Sequence, residues 1–137
     1  MIVVVNYLAV LVAAMIAMVI GGLWYSPVLF GKQWMKLRGM DPAAMANMKM
    51  PMQSMLIEFI TTLVMAFVIA EFAAWVGAAT LMGGIVLGVW LWLGFAATLL
   101  VGMSVWEGRP WGLFFINGGL RLVNIVVMAA IIGAWHL

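Results

Sequence analysis

Three polar side chains lie within a long apolar stretch near the end of the chain. Asn117, Arg121 and Asn124 recur at i, i+4 and i+7, so they form one stripe if this stretch is a helix. In a membrane-spanning helix a charged side chain costs roughly 2.5–3.5 kcal/mol even on insertion scales. The stripe is therefore expected to face protein or water. Its arginine either handles a substrate or ion, reaches the lipid headgroups, or holds two helices together.

Glu58 is the natural partner for this arginine. It lies six residues inside a second apolar stretch that begins at Met52, with two threonines one turn further on. We expect the two helices to run antiparallel, with Glu58 and Arg121 at compatible depths below the same membrane face, so that they can form an ion pair. The alternative is a Glu58 close enough to the membrane surface to stay solvated. The candidate intramembrane polar site comprises Glu58, Asn117, Arg121 and Asn124.

Few other residues could carry chemistry. The chain has no cysteine, which excludes thiolate chemistry, and a single histidine, His136, for which no metal site is expected. A methionine run offers the soft thioether ligands that select Cu(I), although methionine is also a flexible filler of apolar surfaces. The run comprises Met45, Met48, Met50, Met52 and Met55. No nucleophile elbow or glycine-rich phosphate loop occurs, so we expect neither an enzyme nor a bound cofactor.

The composition indicates that membrane-spanning helices position these residues. Of the 137 residues, 69% are hydrophobic and 7% charged, against about 25% charged in an ordinary soluble domain. We predict an all-α integral membrane protein, a single domain over 1–137 with four transmembrane helices of about 20 residues each. The predicted spans are about 2–24, 52–76, 81–105 and 112–135. The lipid bilayer is the expected partner, and a net charge of +2 is too small to suggest nucleic acid.

The first span is expected to be retained. The first 31 residues carry no charged side chain, so the basic region of a cleavable signal peptide is missing.

Residues 25–51 form the one long break in hydrophobicity. Ser26 can cap a helix that starts at Pro27 and continues to Arg38. Apolar side chains recur at i, i+4 and i+7 on one face, and two lysines lie on the other. This pattern predicts an amphipathic helix in the plane of the membrane surface. Its candidate interfacial anchors are Trp24, Tyr25, Phe30, Lys32, Trp34 and Lys36.

The positive charges are distributed asymmetrically. With four spans, both polar loops lie on one side of the membrane and both termini on the other. The two loops contain Lys32, Lys36, Arg38, Lys49 and Arg109, and the opposite side contains no lysine or arginine. The positive-inside rule therefore places the loops in the cytoplasm and both termini outside it.

The third span contains a GxxxG pattern, Gly84 to Gly88, which lets helix backbones approach closely. The pattern is compatible with packing inside one chain and with a dimer interface.

Two segments resemble a known family. The run Leu-Trp-Tyr-Ser-Pro-x-Leu-Phe-Gly-Lys-x-Trp, from Leu23 to Trp34, and the segment 116–123 are similar to the domain-of-unknown-function family numbered 1761. The resemblance extends over essentially the whole chain. It implies a multi-pass protein of the bacterial inner membrane and no established activity, so no residue role is carried over.

Two function classes remain open. In the first, a homo-oligomer carries or senses a small solute or ion through the polar site. In the second, the chain is a structural or accessory subunit of a membrane complex and acts through its surfaces. A water-accessible cavity beside the polar stripe would favour the first class, whereas a tightly filled core would count against transport. Copper handling through the methionine run is a third hypothesis.

Overall fold

The computed structural model describes residues 4–41, 43 and 51–135, and every regular element within them is a helix. The elements are α1 (Tyr7–Trp24), α2 (Gly31–Leu37), α3 (Met52–Val76), α4 (Leu81–Leu91), a π-helical segment (Trp92–Ala97), α5 (Thr98–Glu107) and α6 (Trp111–Ala134). The helix α4, the π-helical segment and α5 continue into one another and form one long helix, Leu81–Glu107. Four helices are thus long and apolar enough to cross a membrane, which confirms the predicted helical class.

Local signals set most helix ends. The structure starts α3 directly after Pro51 and ends it at Gly77, whose φ of 73° favours glycine. Gly108 ends α5 in the same way, with φ 67°. The predicted ends agree with these helices to within two residues, except at the start of α1. There Asn6 accepts a hydrogen bond from Ala9 N at 3.2 Å, so the helix begins later than predicted.

The predicted helix over 27–38 is shorter than expected. Its first residues form a turn in which Gly31 N donates to Ser26 O at 3.0 Å, and α2 begins only at Gly31. Ser26 does not cap α2. Its hydroxyl donates back to Leu23 O at 2.6 Å and satisfies a carbonyl at the end of α1 instead.

The helix α6 lies at the centre of the bundle and packs against α1, α2, α3 and α4. Asn6 Nδ2 donates to Trp135 O at 3.0 Å, so the start of α1 and the end of α6 meet. We call this the terminal end. The opposite end, with residues 25–41 and the turn 108–110, is the loop end. Both α3 and α6 begin at the loop end and run parallel. The expectation that α3 and α6 are antiparallel is therefore wrong. One long helix, Leu81–Glu107, lies between them in the chain, so both run in the same direction.

Small side chains let the helices approach closely. The buried residues of α1 include Ala9, Ala13, Ala14 and Ala17. Both glycines of the GxxxG pattern lie against α6. A Cβ on Gly84 would collide with the Ala129 carbonyl, and one on Gly88 would lie 2.8 Å from Val126 Cα. The pattern therefore serves packing within one chain.

Candidate functional site

The polar stripe of α6 meets α3 near the loop end. Arg121 Nη1 lies 3.7 Å from Glu58 Oε1, and the two side chains are 39% and 51% exposed. The structure thus brings together the two charges that the sequence pairs. The separation is too long for a hydrogen bond. Among the described residues, neither the guanidinium nor the carboxylate makes a hydrogen bond.

The position of Glu58 follows from the way α3 leaves the bundle. Glu58 continues the inward stripe of α3, one turn before the buried Thr62 and two turns before the buried Ala66. The residues of α3 before it are all exposed, because the first two turns lie clear of the other helices. Glu58 therefore faces the bundle at its open rim, where Arg121 can reach it.

Tyr25 belongs to the same site. Its hydroxyl donates to Asn117 Oδ1 at 2.6 Å, and so connects the end of α1 to the polar stripe. Burial raises the pKa of Tyr25 above 10.0, while Arg121 lowers this pKa and Glu58 raises it. The phenol is therefore a neutral donor near both charges. We call Tyr25, Glu58, Asn117 and Arg121 the polar cluster.

Two tryptophans hold the α6 backbone next to the cluster. Trp24 Nε1 donates to Ile116 O at 2.8 Å, and Trp92 Nε1 donates to Gly118 O at 2.9 Å. These carbonyls are two positions apart, so the indoles approach α6 from opposite sides. Gly119 makes room for Trp24, because a Cβ there would lie 3.0 Å from Trp24 Cζ2.

Sequence reasoning treats Tyr25 and Trp24 only as interfacial anchors and does not single out Trp92. Trp92 is the first residue of the π-helical segment. Such turns are rare in proteins, and those that occur are often found at functional sites. No local pattern in the sequence signals this segment.

Asn124 lies apart from the ion pair. It is 6% exposed, and its Oδ1 is the one buried side-chain oxygen or nitrogen without a hydrogen-bond partner in the part of the chain that the structure describes. Helical spacing places it one turn deeper than Arg121 on the same stripe. Thr62, on the facing helix, is occupied by its own backbone, since Oγ1 donates to Glu58 O at 2.7 Å.

Two cavities open at the surface of the bundle, and neither is lined by Glu58 or Arg121. A cavity of about 210 Å³ opens at the terminal end, next to Asn6 and Trp135. A second, of about 10 Å³, lies beside Asn117 and Ser104 and has room for about one water molecule. Neither of these two cavities crosses the bundle next to the polar stripe. They therefore give no support to transport through a single chain.

The segment before α3 packs through its apolar side chains. Trp34 lies against Tyr25 with ring centroids 5.2 Å apart, and Phe30 lies against Trp24 at 4.8 Å. Leu37 packs on the start of α6, where a Cβ on Gly112 would approach its Cδ1 to 2.7 Å. The two lysines, Lys32 and Lys36, are exposed, as the amphipathic pattern predicts. Met35 is fully buried, which the pattern did not indicate.

Most of the methionine run lies outside the described residues, as do Lys49 and His136. Met52 and Met55, its described members, are exposed.

An ion pair at the loop end provides a reference for the polar cluster. Arg109 Nε lies 2.9 Å from Glu107 Oε2, and both side chains are about half exposed.

The comparisons with known proteins give one match. The family model for "Protein of unknown function (DUF1761)" matches residues 8–133, which is nearly the whole chain. No curated protein and no solved structure matches.

Proposed function

The chain belongs to the DUF1761 family, and because that family has no assigned function, we propose one from the geometry. The four apolar helices span a membrane, with the loop end in the cytoplasm. In an assembly of copies, the polar cluster handles a small charged solute or ion at the side of the bundle. This function requires only that the cluster be reached by water and by its ligand.

The half-exposed Glu58–Arg121 pair carries the proposal. The two residues lie six and ten positions inside their helices, or about 9 and 15 Å at 1.5 Å per residue. Side chains of both helices tilt toward the helix start, and hence toward the loop end. Charges at this depth with open hydrogen-bonding groups need water, lipid headgroups or a ligand around them.

The packing favours a solute site between copies of the chain rather than a pore through a single copy. The described cavities do not connect the two ends of the bundle. We place the passage for the solute next to the cluster, where the open rim of one chain meets another. In such an assembly, the second chain forms the side of the passage opposite the polar cluster.

Single-cysteine probes test whether the cluster is hydrated. The chain has no cysteine, so every introduced thiol reports on one position. Thr61 lies next to Glu58 on the helix surface, whereas the exposed Ile60 points about 200° away from Glu58 at nearly the same depth. In membranes, a water-soluble thiol reagent should label Thr61→Cys many times faster than Ile60→Cys. Equal and slow labelling of both would overturn the proposal.

The exposed surface of the third long helix favours a second candidate, an accessory subunit. In an apolar stretch of 18 residues within Leu81–Glu107, 17% of the residues are buried. The corresponding share is larger in each of the other three long helices. Trp90, Phe95, Leu99 and Trp106 are exposed on it. Native mass in mild detergent separates the candidates, since a stable assembly with other proteins supports the accessory subunit and a homo-oligomer supports the solute site.

A further inference from the structure

The geometry points to a zwitterion as the ligand of the polar cluster, one that carries a primary ammonium and an oxyanion. Arg121 binds the oxyanion and Glu58 binds the ammonium. This inference rests on the proposed function and names its substrate class.

The arrangement of the two charges selects this class. They lie 3.7 Å apart and are both accessible. A simple anion would be attracted by Arg121 and repelled by Glu58, and a simple cation would meet the reverse. A ligand with both charges gains from both residues, so the pair discriminates against ligands of one sign.

The hydrogen-bonding groups narrow the class further. A guanidinium presents five N–H donors in a planar fork that suits phosphate or carboxylate, and an ionised carboxylate only accepts. Among the described residues, neither group of the pair is occupied by a hydrogen bond. A primary ammonium can donate to Glu58, whereas a quaternary ammonium cannot. The Tyr25 hydroxyl already donates to Asn117 and does not compete for the ligand.

The surroundings admit a ligand with acyl chains. One turn before Glu58, α3 exposes Met55, and the exposed Ile57 lies on the adjoining side of the helix. A headgroup could reach the cluster from the side while its chains stay among these apolar side chains. The zwitterion therefore has two sources, an ethanolamine phospholipid or a free solute such as phosphoethanolamine, and the chemistry recognised at the cluster is the same.

Four probes separate these sources on the purified full chain in mild detergent. They are a phosphatidylethanolamine, a phosphatidylcholine, a phosphatidylglycerol and soluble phosphoethanolamine, each titrated while thermal unfolding or native mass is recorded. We expect the phosphatidylethanolamine, the soluble phosphoethanolamine or both to bind about tenfold or more tightly than the phosphatidylcholine and phosphatidylglycerol, since each lacks one charge-assisted hydrogen-bonding partner. Binding of the lipid alone identifies a headgroup, and binding of the soluble compound alone identifies a solute.

Variants test the assignment of the two charges. Arg121→Gln and Glu58→Gln should each weaken the binding about tenfold. Glu107→Gln, in the exposed loop pair, should leave it unchanged. Equal binding of phosphatidylglycerol and phosphatidylethanolamine, or full binding by Glu58→Gln, would overturn the inference. The comparison among probes uses the native chain, so it decides the question even where a variant does not fold. Rapid labelling of Thr61→Cys without any preference for a zwitterion would overturn this inference and leave the proposed function standing.

Discussion

The Glu58–Arg121 pair joins two helices that start at the same end of the bundle. Its separation of 3.7 Å and its exposure describe a loose pair at a rim. A pair of this kind contributes less to stability than a buried, hydrogen-bonded one, because solvent screens it and each side chain must be held in place. Its two partners nevertheless depend on each other, since either alone would be an uncompensated charge in an apolar bundle.

A double-mutant cycle measures that dependence. Arg121→Leu should destabilise the chain, because it leaves Glu58 without its partner. Adding Glu58→Gln should recover part of the loss, with a coupling energy of about 1 kcal/mol. Thermal unfolding in mild detergent provides the measurement.

The loop pair Glu107–Arg109 is the matched control. It is similarly exposed and connects residues two positions apart, so we expect its coupling energy to be smaller. Additive losses in the Glu58–Arg121 cycle would show that the two residues do not interact.

Tyr25 should ionise later than a free tyrosine, because burial raises the pKa of Tyr25 above 10.0. A raised folded-state pKa gives stability that is fully present below the unfolded value and is lost as pH rises through the folded value. Absorbance of tyrosinate should therefore show a late step, with loss of stability, that Tyr25→Phe removes. If the step that Tyr25→Phe removes lay at or below 10.0, the prediction would be contradicted.

The hydrogen bond from Tyr25 to Asn117 can be tested at neutral pH. Tyr25→Phe removes the donor and should cost about 1 kcal/mol in thermal unfolding. Tyr7→Phe is the control, because Tyr7 is exposed and its hydroxyl makes no hydrogen bond among the described residues. Equal effects of both changes would show that the bond contributes nothing.

Some site residues can be predicted from the sequence and others cannot. The difference lies in whether the residue stands out locally or acquires its role through a long-range contact. Asn117, Arg121 and Glu58 are recognisable from the sequence because polar side chains stand out in apolar stretches. The role of Tyr25 is not, since a tyrosine at a helix end reads equally well as an interfacial anchor. Trp92 and Gly118 meet across two helices and 26 positions, and no local pattern encodes such a contact.

Among the helices, the predicted ends agree where a glycine or proline fixes them. The short α2 differs because Ser26 has two backbone groups within reach and uses the one in α1. The π-helical segment has no sequence signature at all. It lies between α4 and α5, both of which pack against α6.

The close approach of α4 and α6 predicts opposite effects for two glycines. Gly84→Ala should destabilise the bundle by about 1–3 kcal/mol, because the new methyl group would collide with the Ala129 carbonyl. Gly102→Ala, in α5, has nothing within 4 Å of its new Cβ. It should be neutral or gain up to about 1 kcal/mol from helix propensity. Equal destabilisation by both, measured by thermal unfolding, would contradict intrachain packing of the GxxxG face.

For the molecule as a whole, the charge bias predicts the orientation. A reporter fused after the last residue should be non-cytoplasmic, and one inserted near position 44, outside the described residues, should be cytoplasmic. The described helices are consistent with both termini lying on one side, since Asn6 and Trp135 meet at the same end of the bundle. A cytoplasmic C-terminus would show that something other than the loop cations sets the orientation.

The central place of α6 has a consequence for synthesis. The ribosome makes α6 after the other described helices, yet α1, α2, α3 and α4 all pack against it. Until α6 leaves the translocon, the glycine face of α4 lacks its α6 partner, and Trp24, Tyr25 and Leu37 lack their contacts with α6. The first third of the sequence is synthesised early, but its tertiary contacts with α6 form only after α6 has been inserted. Nascent chains halted before α6 should therefore be the species that proteases and membrane chaperones encounter.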